Sequence, residues 1–147
     1  MIREKKLSRK AFENLPQLIE RFREAPFVKA MYLIGSLVHG PIKPLSDLDF
    51  AVLLSKELNR KQLFQEQIEL IGLACDLLET EEIDLILLNT APPCSAHSIL
   101  RTGHLVFVKD KKQLADFTEM TVKIYLDFKP YRTAFDRTFM QGIGLNG

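Results

Sequence analysis

Asp47 and Asp49 stand two residues apart at the head of the apolar run LDFAVLL (48–54), and their placement constrains this chain more than any other feature. In an extended strand, residues i and i+2 project from one face, about 6.5–7 Å apart along the backbone, so both carboxylates can reach one cation or a close pair. Leu48 and Phe50 then point the other way, into a core. Like charges side by side repel, and a bound cation removes that cost. Magnesium takes oxygen ligands and commonly links one or two carboxylates to substrate phosphates, so it suits this pair better than zinc. Asp84 is in a similar position, a lone acid within the apolar run IDLILLN (83–89). If that run lies beside 48–54, then Asp47, Asp49 and Asp84 line one cleft as metal ligands and catalytic acids. In a two-metal arrangement Asp84 would stand on the side of the attacking hydroxyl.

Upstream, the chain reads Gly35-Ser36-Leu37-Val38-His39-Gly40-Pro41-Ile42-Lys43-Pro44-Leu45-Ser46 before Asp47, which is a Gly-Ser pair, ten residues, then Asp-x-Asp. A glycine after a strand lets backbone amides approach a phosphate, and a serine at a helix start adds a hydroxyl donor where the helix dipole favours an anion. Gly35, Ser36 and Ser46 are therefore the candidate nucleotide-binding residues. A Gly-Ser pair by itself is far more often an ordinary turn. The fixed gap, the paired acids and the third strand acid together carry the functional reading.

The remaining periodicity outlines one α/β domain spanning 1–147. Phe12, Leu15, Leu18, Ile19 and Phe22 recur at helical spacing and predict a helix over about 12–24, with Pro16 in its first turn. VKAMYLIG (28–35) and 48–54 predict neighbouring strands. Asn59 is placed to cap a helix to about Leu78, whose stripe Phe64, Ile68, Ile71, Cys75 and Leu78 is expected to face the core. A third strand at 83–89, a short helix near 95–101 and a fourth strand at 104–109 follow. From about Lys112 to Phe139 a long helix is predicted, kinked at Pro130. Six of the thirteen Phe and Tyr residues fall within 117–139, which leads us to expect that some of them face a partner.

Composition narrows the function classes. With 147 residues, 46% of them hydrophobic, the chain can bury roughly 68–70% of its unfolded surface without staples. Cys75 and Cys94 lack the close spacing and partner histidines of a zinc site, and a reducing cytoplasm is the simplest context for them. The basic start is not followed by an apolar run of signal-peptide length, so neither secretion nor membrane insertion is expected. Residues 1–30 hold eight Lys/Arg against four Asp/Glu, whereas 46–90 hold three against ten. That acidic middle reads as a solvated face or as a cation site. A net charge of +1 and a pI near 7.8 argue against direct nucleic-acid binding.

The Gly-Ser pair, the ten-residue gap, the Asp-x-Asp and the later strand acid resemble the DNA polymerase β nucleotidyltransferase superfamily. The compact length and the ending YLDFKPYRTAFDR (125–137) resemble its minimal nucleotidyltransferases, the MntA-type antitoxins encoded beside HEPN-domain ribonuclease toxins. The resemblance implies a small mixed sheet flanked by helices with a long C-terminal helix. It further implies that Gly35 and Ser36 grip the triphosphate of ATP, that Asp47 and Asp49 bind Mg²⁺, and that Asp84 completes the catalytic set. The implied reaction is AMP transfer from ATP to a tyrosine hydroxyl of the HEPN partner. Family members commonly read GSRARG where this chain has Gly35-Ser36-Leu37-Val38-His39-Gly40, so both arginine positions lack a permanent charge. His39 then either contacts phosphate or partner, or is an ordinary loop histidine, and Lys43 is equally open. Two other readings stand beside this one: transfer to a small molecule such as an aminoglycoside, and a non-catalytic antitoxin that acts by binding. Little chain remains beyond the catalytic sheet to enclose a small acceptor, which favours a macromolecular one.

Overall fold

The computed structural model describes the backbone of residues 2–34 and 48–142 and the side chains of 13–34 and 49–127. Among these, helix α1 (Ile2–Glu24) leads into strand β1 (Val28–Ile34), and strand β2 (Leu48–Leu54) is followed by helix α2 (Arg60–Leu78). Strand β3 (Ile83–Leu87) passes through a short 3₁₀ turn (Leu88–Thr90) into helix α3 (Pro93–Thr102), strand β4 (His104–Val108) and helix α4 (Lys111–Gly142). The strands form one mixed sheet in the order β3-β2-β1-β4, with β1 antiparallel to both its neighbours and β2 parallel to β3.

β1 and β2 are central strands covered on both faces, which is why they read as nearly continuous apolar runs. Phe50, Val52, Leu54, Leu85 and Leu87 face Leu18 and Phe22 of α1 and Leu70, Ala74 and Leu78 of α2. Ala51, Leu53 and Ile86 face the other way, toward Ala96 and Ile99 of α3 and toward Leu114 and Phe117 of α4. The expected mixed α/β sheet with a long last helix is what the chain forms.

The boundaries differ in instructive places. α1 begins at Ile2 and runs through Pro16, so this proline is interior rather than in the first turn. A proline inside a helix loses one ladder bond and crowds the preceding turn, at about 3 kcal/mol, and the burial of Leu18 and Phe22 beyond it offsets that cost and anchors the helix. β3 stops at Leu87 instead of continuing to residue 89. The Asn89 side chain takes over the pairing there, accepting from the Leu54 N–H and donating to the Leu54 carbonyl, both at 2.8 Å. The α2 stripe is the clear correction. Phe64 is 63% and Ile68 53% exposed; Leu78 is buried as expected and Ile71 packs partly against the core, and Leu70 and Ala74 complete the buried ridge in place of Phe64 and Ile68. α2 begins as expected at Asn59, in a capping box with Gln62.

The C-terminal end of α3 is tight. Gly103 donates to the Ile99 carbonyl at 2.8 Å, and a Cβ added at Gly103 would lie 2.6 Å from that oxygen and 3.3 Å from the Tyr32 ring. Gly103→Ala is therefore expected to destabilise the fold by about 1–3 kcal/mol, because a backbone atom cannot swing aside as a side-chain tip can. Equilibrium urea unfolding checks it; an unchanged midpoint would show that the α3–β4 corner relaxes freely.

In α4, Leu114 and Phe117 pack on the sheet, Thr121 is buried, and Met120, Val122 and Leu126 are exposed. Tyr125 stacks on His97 of α3, with the ring centroids 3.8 Å apart and the planes 2° from parallel. The helix continues through Pro130. Phe128, Tyr131, Phe135 and Phe139 lie outside the described side chains, as does Phe12.

Candidate active site

The parallel register of β2 and β3 decides the site. Asp49 pairs with Asp84, Phe50 with Leu85 and Ala51 with Ile86. Directly paired residues of adjacent strands point to the same face, with strands about 4.8 Å apart. The two carboxylates therefore stand side by side on the face shared with Ala51, Leu53 and Ile86. Asp49 is half-buried and Asp84 exposed, so the pair runs from the sheet interior to its edge. A one-residue slip of β3 would carry Asp84 to the opposite face. The clamp of Asn89 on Leu54, together with the Gln67 side chain donating to the Leu85 carbonyl at 2.9 Å, holds the register that prevents it.

On its other side β2 pairs with β1, and Asp49 lies opposite Ile34, the residue that precedes Gly35 in the chain. Asp84, Asp49 and Ile34 thus form one row across the sheet. Gly35, Ser36, Ser46 and Asp47 lie outside the described residues, as do Leu37, Val38, His39, Gly40 and Lys43. Among the described residues no group of three or more His, Cys, Asp or Glu could hold a metal ion. The pairing of Asp49 with Asp84 brings two carboxylates together, oxygen donors of the kind a hard cation such as magnesium takes.

The same end of the sheet carries a residue that spacing gave no reason to notice. His104 of β4 lies opposite Leu33 of β1. Leu33 faces α1 and α2, so its partner is on the face away from the acids and does not join them. His97 is engaged with Tyr125 instead. Burial first, then Asp76 and Glu81, push the half-buried Cys75 thiol upward, away from the thiolate form. Two clefts of about 370 Å³ each lie at the other end of β2 and β3, around Leu53, Leu87, Asn89 and Thr90. Neither contains the acids.

With this arrangement in view, a family model described as "Polymerase beta, Nucleotidyltransferase" matches residues 16–112. The chain belongs to this family. The match takes in both acid-bearing strands and the Gly-Ser segment, so the chain is a nucleotidyltransferase domain. No curated protein matches the sequence. Solved structures supply the fold: a toxin–antitoxin crystal structure with AMP-PNP aligns at 22% identity and a TM-score of 0.66, covering 87% of this chain and 97% of the matched chain. The toxin–antitoxin MntA–HepT aligns at 22% identity and a TM-score of 0.63, covering 86% and 97%. A tri-AMPylated Shewanella oneidensis HEPN toxin in complex with its MNT antitoxin aligns at 20% identity and a TM-score of 0.58, covering 93% and 98%. Among the described residues, no helix is long and apolar enough to cross a membrane.

Proposed function

We propose that this nucleotidyltransferase domain is an antitoxin that transfers AMP from ATP to a tyrosine of a cognate HEPN ribonuclease toxin, using Mg²⁺. The observation that carries the reading is the in-register pair Asp49 and Asp84, one strand away from the end of β1 that leads into Gly35-Ser36. An edge position for Asp84 suits an acceptor that arrives from outside, because the exposed acid meets a protein surface without a second domain to enclose it. The similar toxin–antitoxin structures support this choice of acceptor, one with AMP-PNP and one with an AMPylated toxin.

In the proposed step the tyrosine oxygen forms a bond to the α-phosphorus of ATP while the bond from that phosphorus to the bridging oxygen breaks. Pyrophosphate leaves and the phenolic proton passes to solvent. Gly35, Ser36 and Ser46 hold the triphosphate; Asp47 and Asp49 would hold the cation that offsets its charge; Asp84 orients the hydroxyl. Magnesium held by Asp47, Asp49 and Asp84 would supply polarisation of the phenol, whose ordinary pKa is about 10, and charge stabilisation of the leaving group. The adduct would add bulk and a phosphodiester charge that competes with the RNA backbone in the toxin's cleft. A reducing cytoplasm is where a chain with two cysteines of no zinc-site or paired spacing and a nucleotide-consuming enzyme would work.

Intact-mass spectrometry of the co-expressed HEPN partner, after incubation with ATP and Mg²⁺, tests the proposal. One or more AMP additions on tyrosine, absent with Asp47→Asn, are expected. No adduct with any nucleotide or metal, together with full neutralisation by Asp47→Asn, would replace it with an antitoxin acting by binding alone. Leu37 and His39, where arginines are common, are the residues such a result would implicate.

A further inference from the structure

We propose that the outward face of α2 is a self-association surface, on which a second copy of this chain docks antiparallel about a two-fold axis passing beside Ile68. Phe64 and Ile68 sit four residues apart on the solvent side of the helix, and each exposes more than half its surface. Gly72 follows after another four residues, and a Cβ placed there would have nothing within 4 Å. A glycine in the middle of an exposed helix costs about 1 kcal/mol relative to alanine. Here it leaves a notch in line with two large apolar side chains.

The spacing is self-complementary. Phe64 and Gly72 are equidistant from Ile68, so in an antiparallel pair the Phe64 ring of each copy reaches the level of the partner's notch while the Ile68 side chains meet at the axis. Such a contact is isologous, the same patch serving both copies, and it closes at two. Charge fits the same orientation. Lys61 and Asp76, both exposed, lie near the two ends of the stripe on the same flank. Within one helix they are fifteen residues apart, about 22 Å at 1.5 Å per residue, too far to pair with each other. Across an antiparallel contact each comes level with the other's opposite charge. A parallel arrangement would set like charges together. α2 packs on the sheet face opposite Asp49 and Asp84, so the contact does not cover these two acids.

Sedimentation equilibrium of the 147-residue chain, alone and without nucleotide, is the test. A reversible, concentration-dependent monomer–dimer equilibrium is expected. Ile68→Asp is expected to weaken it at least a hundredfold with a circular-dichroism melt that changes little, since more than half of the residue is exposed in the monomer. Lys61→Glu and Asp76→Lys should each weaken dimerisation several-fold, and the double variant should restore it. The charge variants keep the test decisive if Ile68→Asp fails to fold. A chain that stays monomeric to the order of 1 mM would overturn the proposal and leave the face to a different protein. A dimer indifferent to these variants, or a double variant that restores nothing, would overturn it equally.

Discussion

Asp84→Asn is expected to lower AMP transfer at least about a hundredfold while nucleotide affinity changes only a few-fold. Removing one preorganised charge at a reacting centre has effects of that size. The asymmetry follows from position: Asp84 lies at the sheet edge, whereas Asp49 lies between it and the strand that leads to Gly35-Ser36. Asp49→Asn should therefore lose both ATP binding and transfer, and Asp84→Asn chiefly transfer. Stability of the Asp84 variant should hold or rise, because a neutral amide relieves repulsion between two carboxylates on paired residues. Isothermal titration with a non-hydrolysable ATP analogue, set beside single-turnover transfer, separates the two roles. Equal losses of binding and transfer in the Asp84 variant would show that it holds the nucleotide rather than orienting the acceptor.

The pairing of the two acid-bearing strands was legible wherever a residue's neighbours along the chain determine its surroundings. Asp84 is an example: an acid inside an apolar run needs a purpose, and β3 does lie beside β2 with the two acids paired. Asn59 announced the start of α2 for the same reason, since capping is settled within one turn. The face of α2 was misread because its apolar residues come in adjacent pairs, Leu63-Phe64, Leu70-Ile71 and Leu77-Leu78. Two stripes about 100° apart fit such a pattern equally well. Contacts with α1 and the sheet choose between them, and periodicity contains nothing about those contacts. The Pro16 boundary failed differently. Breaking one bond in a helix carries a fixed local cost, and the burial of Leu18 and Phe22 is a larger, non-local gain.

Phe50→Ala should have the largest effect on the fold itself, a loss of about 3–5 kcal/mol. Phe50 is fully buried, among Phe22 of α1, Leu70 and Ala74 of α2 and Leu85 of β3. Because total stability for such a domain is about 5–15 kcal/mol, the variant gives up a third or more of it. The melting temperature should fall on the order of 10 °C. Chemistry should suffer as well, below the new transition, because Phe50 follows Asp49 directly and points to the opposite face of the same strand. A ring anchored in the core fixes the strand that carries the carboxylate, and a cavity beneath it loosens a site that tolerates about 0.5 Å of misplacement. Phe50→Leu, which keeps most of the volume, should recover most of both stability and transfer. Thermal and urea unfolding give the first quantity, and transfer rates at 15 °C below each variant's own midpoint give the second. If Phe50→Ala lost stability but kept full transfer there, the acids would be held by the Asn89 clamp and the neighbouring strands alone, and core packing would contribute nothing to their alignment.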